Sequence, residues 1–173
     1  ADSSGNLLDG TVEIEETFVG GKTTNRRYKF LDGHNEKEIV MGMLERHGKV
    51  YLKHIKNTGK WTLLELIKEN VSPNARIITD EYGGYYQLTE HGYYHEWINH
   101  QRHYVKGAIH TQGIENFWSQ FKRGIIGVYR HVSKKYLQGY CDEFAFRYNN
   151  RYAKGMMFDL ILKQVPEIKM LRV

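Results

Sequence analysis

Residues 11–19 read TVEIEETFV. Val12, Ile14 and Phe18 alternate with Glu13, Glu15 and Thr17, a period of two that predicts a β-strand. Glu16 falls in the apolar row and breaks it, and Gly20-Gly21 close the segment. Two further strands are predicted at 38–46 (EIVMGMLER) and 49–56 (KVYLKHIK), joined by a tight turn at His47-Gly48. Three successive strands therefore open the chain as an antiparallel meander. Between the first two, Lys22 to Lys37 is polar, basic and contains Gly33, which predicts a mobile loop.

Downstream, WTLLELIKEN (61–70) is a short amphipathic helix stopped by Ser72-Pro73. ARIIT (75–79) is a short apolar run that ends directly at Asp80, as a buried central strand does. A helix is predicted over 82–91, a fifth strand over 93–98, and helices over 111–124, 133–151 and 158–164, with Ser133 as an N-cap. That order, three strands, helix, strand, helix, strand and then helices, is the order of the ribonuclease H-like fold: α/β, a mixed five-stranded sheet with flanking helices. The expected domain runs over 11–165, with 1–10 a linker or cloning remnant and 166–173 a C-terminal tail.

The bulk properties agree with one domain able to bury a real core, since the chain has 173 residues, 40% of them hydrophobic. Lys and Arg number 25 against 20 Asp and Glu, for a formal charge of +5, a balance that suits a polyanionic partner. Cys141 is the single cysteine, which excludes an intrachain disulfide and a multi-cysteine zinc site and fits a reducing compartment. No apolar run approaches the ~18 residues of a membrane span, and no signal peptide is expected at the start. The expected location is the bacterial cytoplasm, in contact with the nucleoid, or the nucleus of a eukaryote.

The segment HTQGIENFWSQFKRG (110–124) carries two stripes on one helix. Ile114, Phe117, Trp118 and Phe121 form a face to bury, while Gln112, Glu115, Ser119 and Lys122 stack along another. Phosphoryl transfer with two metal ions needs carboxylates from separate segments converging on cations about 4 Å apart. Glu15 or Glu13 on the first strand, Asp80 at a strand end and Glu115 on this helix are the candidates, and hard oxygen ligands suit Mg²⁺ or Mn²⁺. Each has a plainer reading. The glutamates fit a solvated strand face, Asp80 a turn or helix cap, and Glu115 with Lys122 a polar helix surface.

VEIEETFVGGK, ITDEYGGYYQL, HTQGIENFWSQFKRGIIGVYRHVS and YCDEFAFRYNNR together resemble the DDE transposases of the ISXO-like insertion sequences, relatives of the Merlin transposons. The resemblance covers roughly residues 12 to 152. It implies a ribonuclease H-like catalytic domain that cuts transposon ends and joins them to target double-stranded DNA with a divalent metal. By position, the family's first catalytic aspartate falls on Glu15 and the second on Asp80. The third acidic position falls on Glu115 or on Gln112, with Glu115 favoured because glutamine is a neutral, weaker ligand. Lys122 matches a lysine placed against DNA phosphate, and self-association on DNA is expected by the same analogy.

Two departures stand out. Glu15 occupies a position that is usually Asp, and the extra methylene moves the carboxylate by ~1.5 Å in a geometry intolerant of that shift. Weak or absent strand transfer is therefore expected. Family members also carry a cysteine-rich zinc-binding segment upstream, and with Cys141 alone the recognition of terminal repeats is expected to be much reduced. For DNA contact the candidates are Lys122, Arg123, Arg130, His131, Lys134 and Lys135, with Arg26, Arg27 and Lys29 in the predicted loop. The rival readings are an inactive DNA-binding form of the domain and a nuclease without strand transfer.

Overall fold

The structure is a computed structural model that describes residues 7–20, 37–99, 108–129, 132–153 and 155–164. Its sheet contains β1 (Thr11–Val19), β2 (Glu38–Glu45), β3 (Val50–Ile55), β4 (Arg76–Asp80) and β5 (Tyr94–Ile98), in the order β3-β2-β1-β4-β5. β1, β2 and β3 pair antiparallel, whereas β4 runs parallel to both β1 and β5. This mixed sheet has the strand order and crossover of the ribonuclease H-like fold, with the meander on one side and the α/β crossover on the other. The turn from β2 to β3 places His47 at φ 63°, a left-handed conformation that the tight connection demands.

Helices cover both faces. Helix α1 (Lys60–Asn70) buries Leu63, Leu64 and Ile67 against Val12, Ile14, Met41, Met43 and Ile77. On the opposite face, α2 (Gln112–Gly124) and α3 (Leu137–Asn149) bury Ile114, Phe117, Trp118, Phe121 and Cys141 against Val19, Val40, Leu44 and Leu52. β1 is thus covered on both sides, which excludes the plainer reading of Glu13 on a solvated strand face: Glu13 is 0% exposed. Burial pushes the Cys141 thiol up to about 12, which leaves it inert.

Several elements differ from their sequence reading. The helix expected over 82–91 is only a 3₁₀ segment, Gly83–Leu88, because two leading glycines disfavour a longer α-helix. Ser133 makes no side-chain cap; its carbonyl accepts the Tyr136 N–H at 3.0 Å, and a 3₁₀ turn (Lys134–Tyr136) precedes α3. A π-helical turn, Ile125–Tyr129, extends α2, and α4 spans Met157–Gln164. The folded body also begins before Thr11. Leu8 is 5% exposed, and its backbone bridges that of Val71 beside α1. The loop prediction at 22–36 and the tail at 166–173 lie outside the described residues.

Helix α3 also closes the outer edge of the sheet. Asn149 accepts the Val50 N–H at 2.7 Å and donates to the Val50 carbonyl at 3.0 Å. Gln138 does the same for the His54 N–H and the Leu52 carbonyl, at 2.8 and 3.1 Å. Two side-chain amides thereby occupy backbone groups of edge strand β3 that would otherwise template another chain.

Candidate active site

Period-two alternation puts Glu13, Glu15 and Thr17 on the α2 face of β1, and Glu16 on the α1 face. Glu16 accepts a hydrogen bond from the Tyr85 hydroxyl at 2.6 Å, so it is held away from its neighbour. In the parallel register Ile14 pairs with Thr79, and one further step brings Asp80 beside Glu15. Across the other edge, Glu15 is opposite Gly42. A Cβ on Gly42 would lie 2.5 Å from Trp118 Cζ2, so the missing side chain is what lets α2 lie directly on the sheet there. Glu115 then comes over Glu15, with Thr111 donating to Glu115 Oε1 at 2.9 Å.

A cavity of about 510 Å³ opens at this point, lined among others by Glu15, Thr17, Lys37, Glu115, Ser119 and Lys122. Burial, then Glu115, Asp80 and Glu16, push the Glu15 carboxyl up to about 8, against a smaller lowering by Lys122. Glu16 is raised to about 7, mainly by burial, with the Tyr85 hydrogen bond opposing. Glu15 Oε2 and Trp118 Nε1 are buried without a hydrogen-bond partner. Hard oxygen donors, a partnerless buried carboxylate oxygen and mutual repulsion are the chemistry of a site for a hard divalent cation. The spacing is looser than the chemistry: among the described residues, no group of three or more His, Cys, Asp or Glu side chains stands close enough to hold a metal ion.

The model of the ISXO2-like transposase domain matches residues 7–149. The chain belongs to this family. An uncharacterized transposase-like protein of Haemophilus influenzae is 32% identical over 117 residues, 68% of this chain and 93% of that protein. Among solved structures, the HTLV-2 integrase catalytic core domain in complex with magnesium matches with a TM-score of 0.46 at 11% identity, over 83% of this chain and 87% of that one.

The transposase domain brings together Glu15, Glu115 and Lys122, and Asp80 adjoins them through the sheet. Asp80 also fills the plainer role foreseen for it, accepting the Tyr82 N–H at 3.0 Å. Gln112 is exposed at the first turn of α2 and is not among the cavity's lining residues. Of the predicted DNA contacts, Lys134 pairs with Glu38 at 3.0 Å, Lys135 lies over the Tyr136 ring and Arg123 donates to the Ser119 carbonyl. Arg130 and His131, like Arg26, Arg27 and Lys29, lie outside the described residues. Arg151, just past the end of α3, donates to the Gly48 carbonyl at 3.1 Å and stacks on Tyr148.

Sequence reading missed Lys37, which lines the cavity from just before β2. It also missed Arg46, which pairs with Glu13 at 2.7 Å. Lys37 ends a polar stretch without periodicity, and Arg46 meets Glu13 only through the β1–β2 pairing, so neither carried a local signal.

Proposed function

We propose that this domain catalyses divalent-metal-dependent DNA cleavage and strand transfer for an insertion sequence, weakened by Glu15 at the first acidic position. The partnerless Glu15 oxygen, buried at a cavity shared with Glu115 and Lys122, carries this reading. Glu15, Asp80 and Glu115, drawn closer together by the cation's charge, would hold Mg²⁺ or Mn²⁺. Such a cation supplies charge that polarises a phosphoryl oxygen and activates the attacking hydroxyl or water. Lys122 and Lys37 bind the phosphate flanking the scissile bond, and the α2 aromatics seal the inner wall against water. The partner is double-stranded DNA, transposon end and target, with self-association of the domain on paired ends.

A second reading, a DNA-binding form without catalysis, is favoured by one observation. The described acidic side chains do not close into a three-ligand group. A strand-transfer assay on pre-cleaved ends, comparing the parent with Glu15→Asp and Asp80→Ala, separates the two. Weak parent activity, a gain of about a hundredfold in Glu15→Asp and none in Asp80→Ala are expected, since ~1 Å of misplacement costs about that factor. Strong parent activity that Glu15→Asp leaves unchanged contradicts the geometric explanation. Inactivity of all three, with no Mn²⁺ binding at millimolar concentration by calorimetry, establishes the second reading.

A further inference from the structure

We propose that Glu13 is a positioning residue for this site, acting with Arg46 as an ionic clamp that sets where the first turn of α2, and with it Glu115, stands over Glu15. This role rests on the metal-site reading of the cavity. Glu13 shares the α2 face of β1 with Glu15 and lies roughly 6.6 Å from it along the strand. Its carboxylate is wholly buried, and both oxygens are engaged. Oε1 accepts from Arg46 Nε at 2.7 Å, and Oε2 accepts the Ile114 backbone N–H at 2.9 Å. Ile114 immediately precedes Glu115, so the carboxylate is one residue away from the helix's own acid.

Arg46 fixes the other side of the clamp. It donates through Nη1 to the Ala108 carbonyl at 2.9 Å and through Nη2 to the His110 carbonyl at 2.8 Å. Its backbone N–H reaches the Thr11 carbonyl at 2.9 Å. One guanidinium therefore ties the end of β2, the buried carboxylate of β1 and the chain entering α2. A lysine has the charge but not the fork needed for all three. Gly113 completes the fit, because a Cβ there would stand 2.8 Å from Glu13 Oε2. A salt bridge needed only for cohesion would be weakly justified, since burying such a pair costs desolvation that packing alone avoids. What the pair supplies beyond packing is a directional lock between strand and helix at the level of the acidic site.

The test compares the full chain with Arg46→Lys and Gly113→Ala. The second variant retains every charge but sets a Cβ against Glu13 Oε2, so it strains the clamp sterically where Arg46→Lys weakens its hydrogen bonds, and Mn²⁺ affinity is the readout that a merely structural role leaves unchanged. Amide exchange of Ile114 is followed by NMR in metal-free protein, with Ile77 and Ile78 in β4 as internal controls, and Mn²⁺ affinity is measured by calorimetry. Faster Ile114 exchange by about tenfold, unchanged β4 exchange and Mn²⁺ binding weaker by about tenfold are expected in both variants. If Arg46→Lys does not fold, Gly113→Ala decides. An unchanged Ile114 amide overturns the clamp, and faster exchange with parental Mn²⁺ affinity overturns its positioning role. Failure of the parent and of Glu15→Asp to bind Mn²⁺ refutes the proposed function instead, and the clamp is then decided by the exchange data.

Discussion

Glu15 keeps its proton far above the range of an ordinary carboxylic acid, and this has a measurable sign. Its folded value is about 8, and Glu16's is about 7, both above the ordinary 4.5. The stability that comes from retaining these protons is fully present below the unfolded value and is lost as pH rises through the folded ones. The metal-free domain should therefore lose stability between pH 5 and 8, at a slope of up to about 1.4 kcal/mol per pH unit for each proton still held. Glu15→Gln removes one share of that slope. Its melting temperature in EDTA should gain on the parent's as pH rises, and saturating Mn²⁺ should abolish the parent's decline. A difference between variant and parent that stays constant from pH 5 to 8 contradicts the burial and mutual repulsion that raise these carboxyls. Sequence offered Glu15 and Glu115 as candidates, which the cavity brings together, but this field was not legible. It depends on the sheet register and on α2 closing over β1, and neither is local.

At the scale of the element, α2 was legible because its two stripes have helical spacing, and the stripe Ile114, Phe117, Trp118 and Phe121 is the one buried. How closely the helix approaches the sheet was not legible, since that distance is set by glycines on other segments or at its own first turn. Gly42 in β2 is the clearest case. A Cβ there would meet Trp118 Cζ2 at 2.5 Å and Ile114 Cδ1 at 2.9 Å. Gly42→Ala should push α2 outward and cost about 1–3 kcal/mol, as overpacked cores do, read by urea denaturation. A loss below about 0.5 kcal/mol would mean that the helix does not rest on this strand. Asn149 and Gln138 make the same point for α3. Nothing local in the sequence marks them, and their amides pair with the backbone of β3, a role visible only once the edge strand is in place.

For the whole molecule, the order of strands and helices was enough to name the fold, because period-two and helical patterns are local and their succession restricts topology. The distribution of positive charge was much less legible. A net charge of +5 says that DNA is a suitable partner but not which side chains are free to meet it. Lys122 and Lys37 line the cavity, whereas Lys134 is held by Glu38 and so must exchange one anionic partner for another. Such contacts are made to phosphate, so the domain should bind duplexes of unrelated sequence with similar affinity and strong salt dependence. Lys122→Ala and Lys37→Ala should each lower the slope of log K against log salt by about one, whereas Lys134→Ala should change it by clearly less. Fluorescence anisotropy across a salt series measures all three. Equal effects from the three lysines would place the DNA on a diffuse basic surface, whereas the expected ranking would run it across the mouth of the cavity that Lys122 and Lys37 line with Glu15 and Glu115.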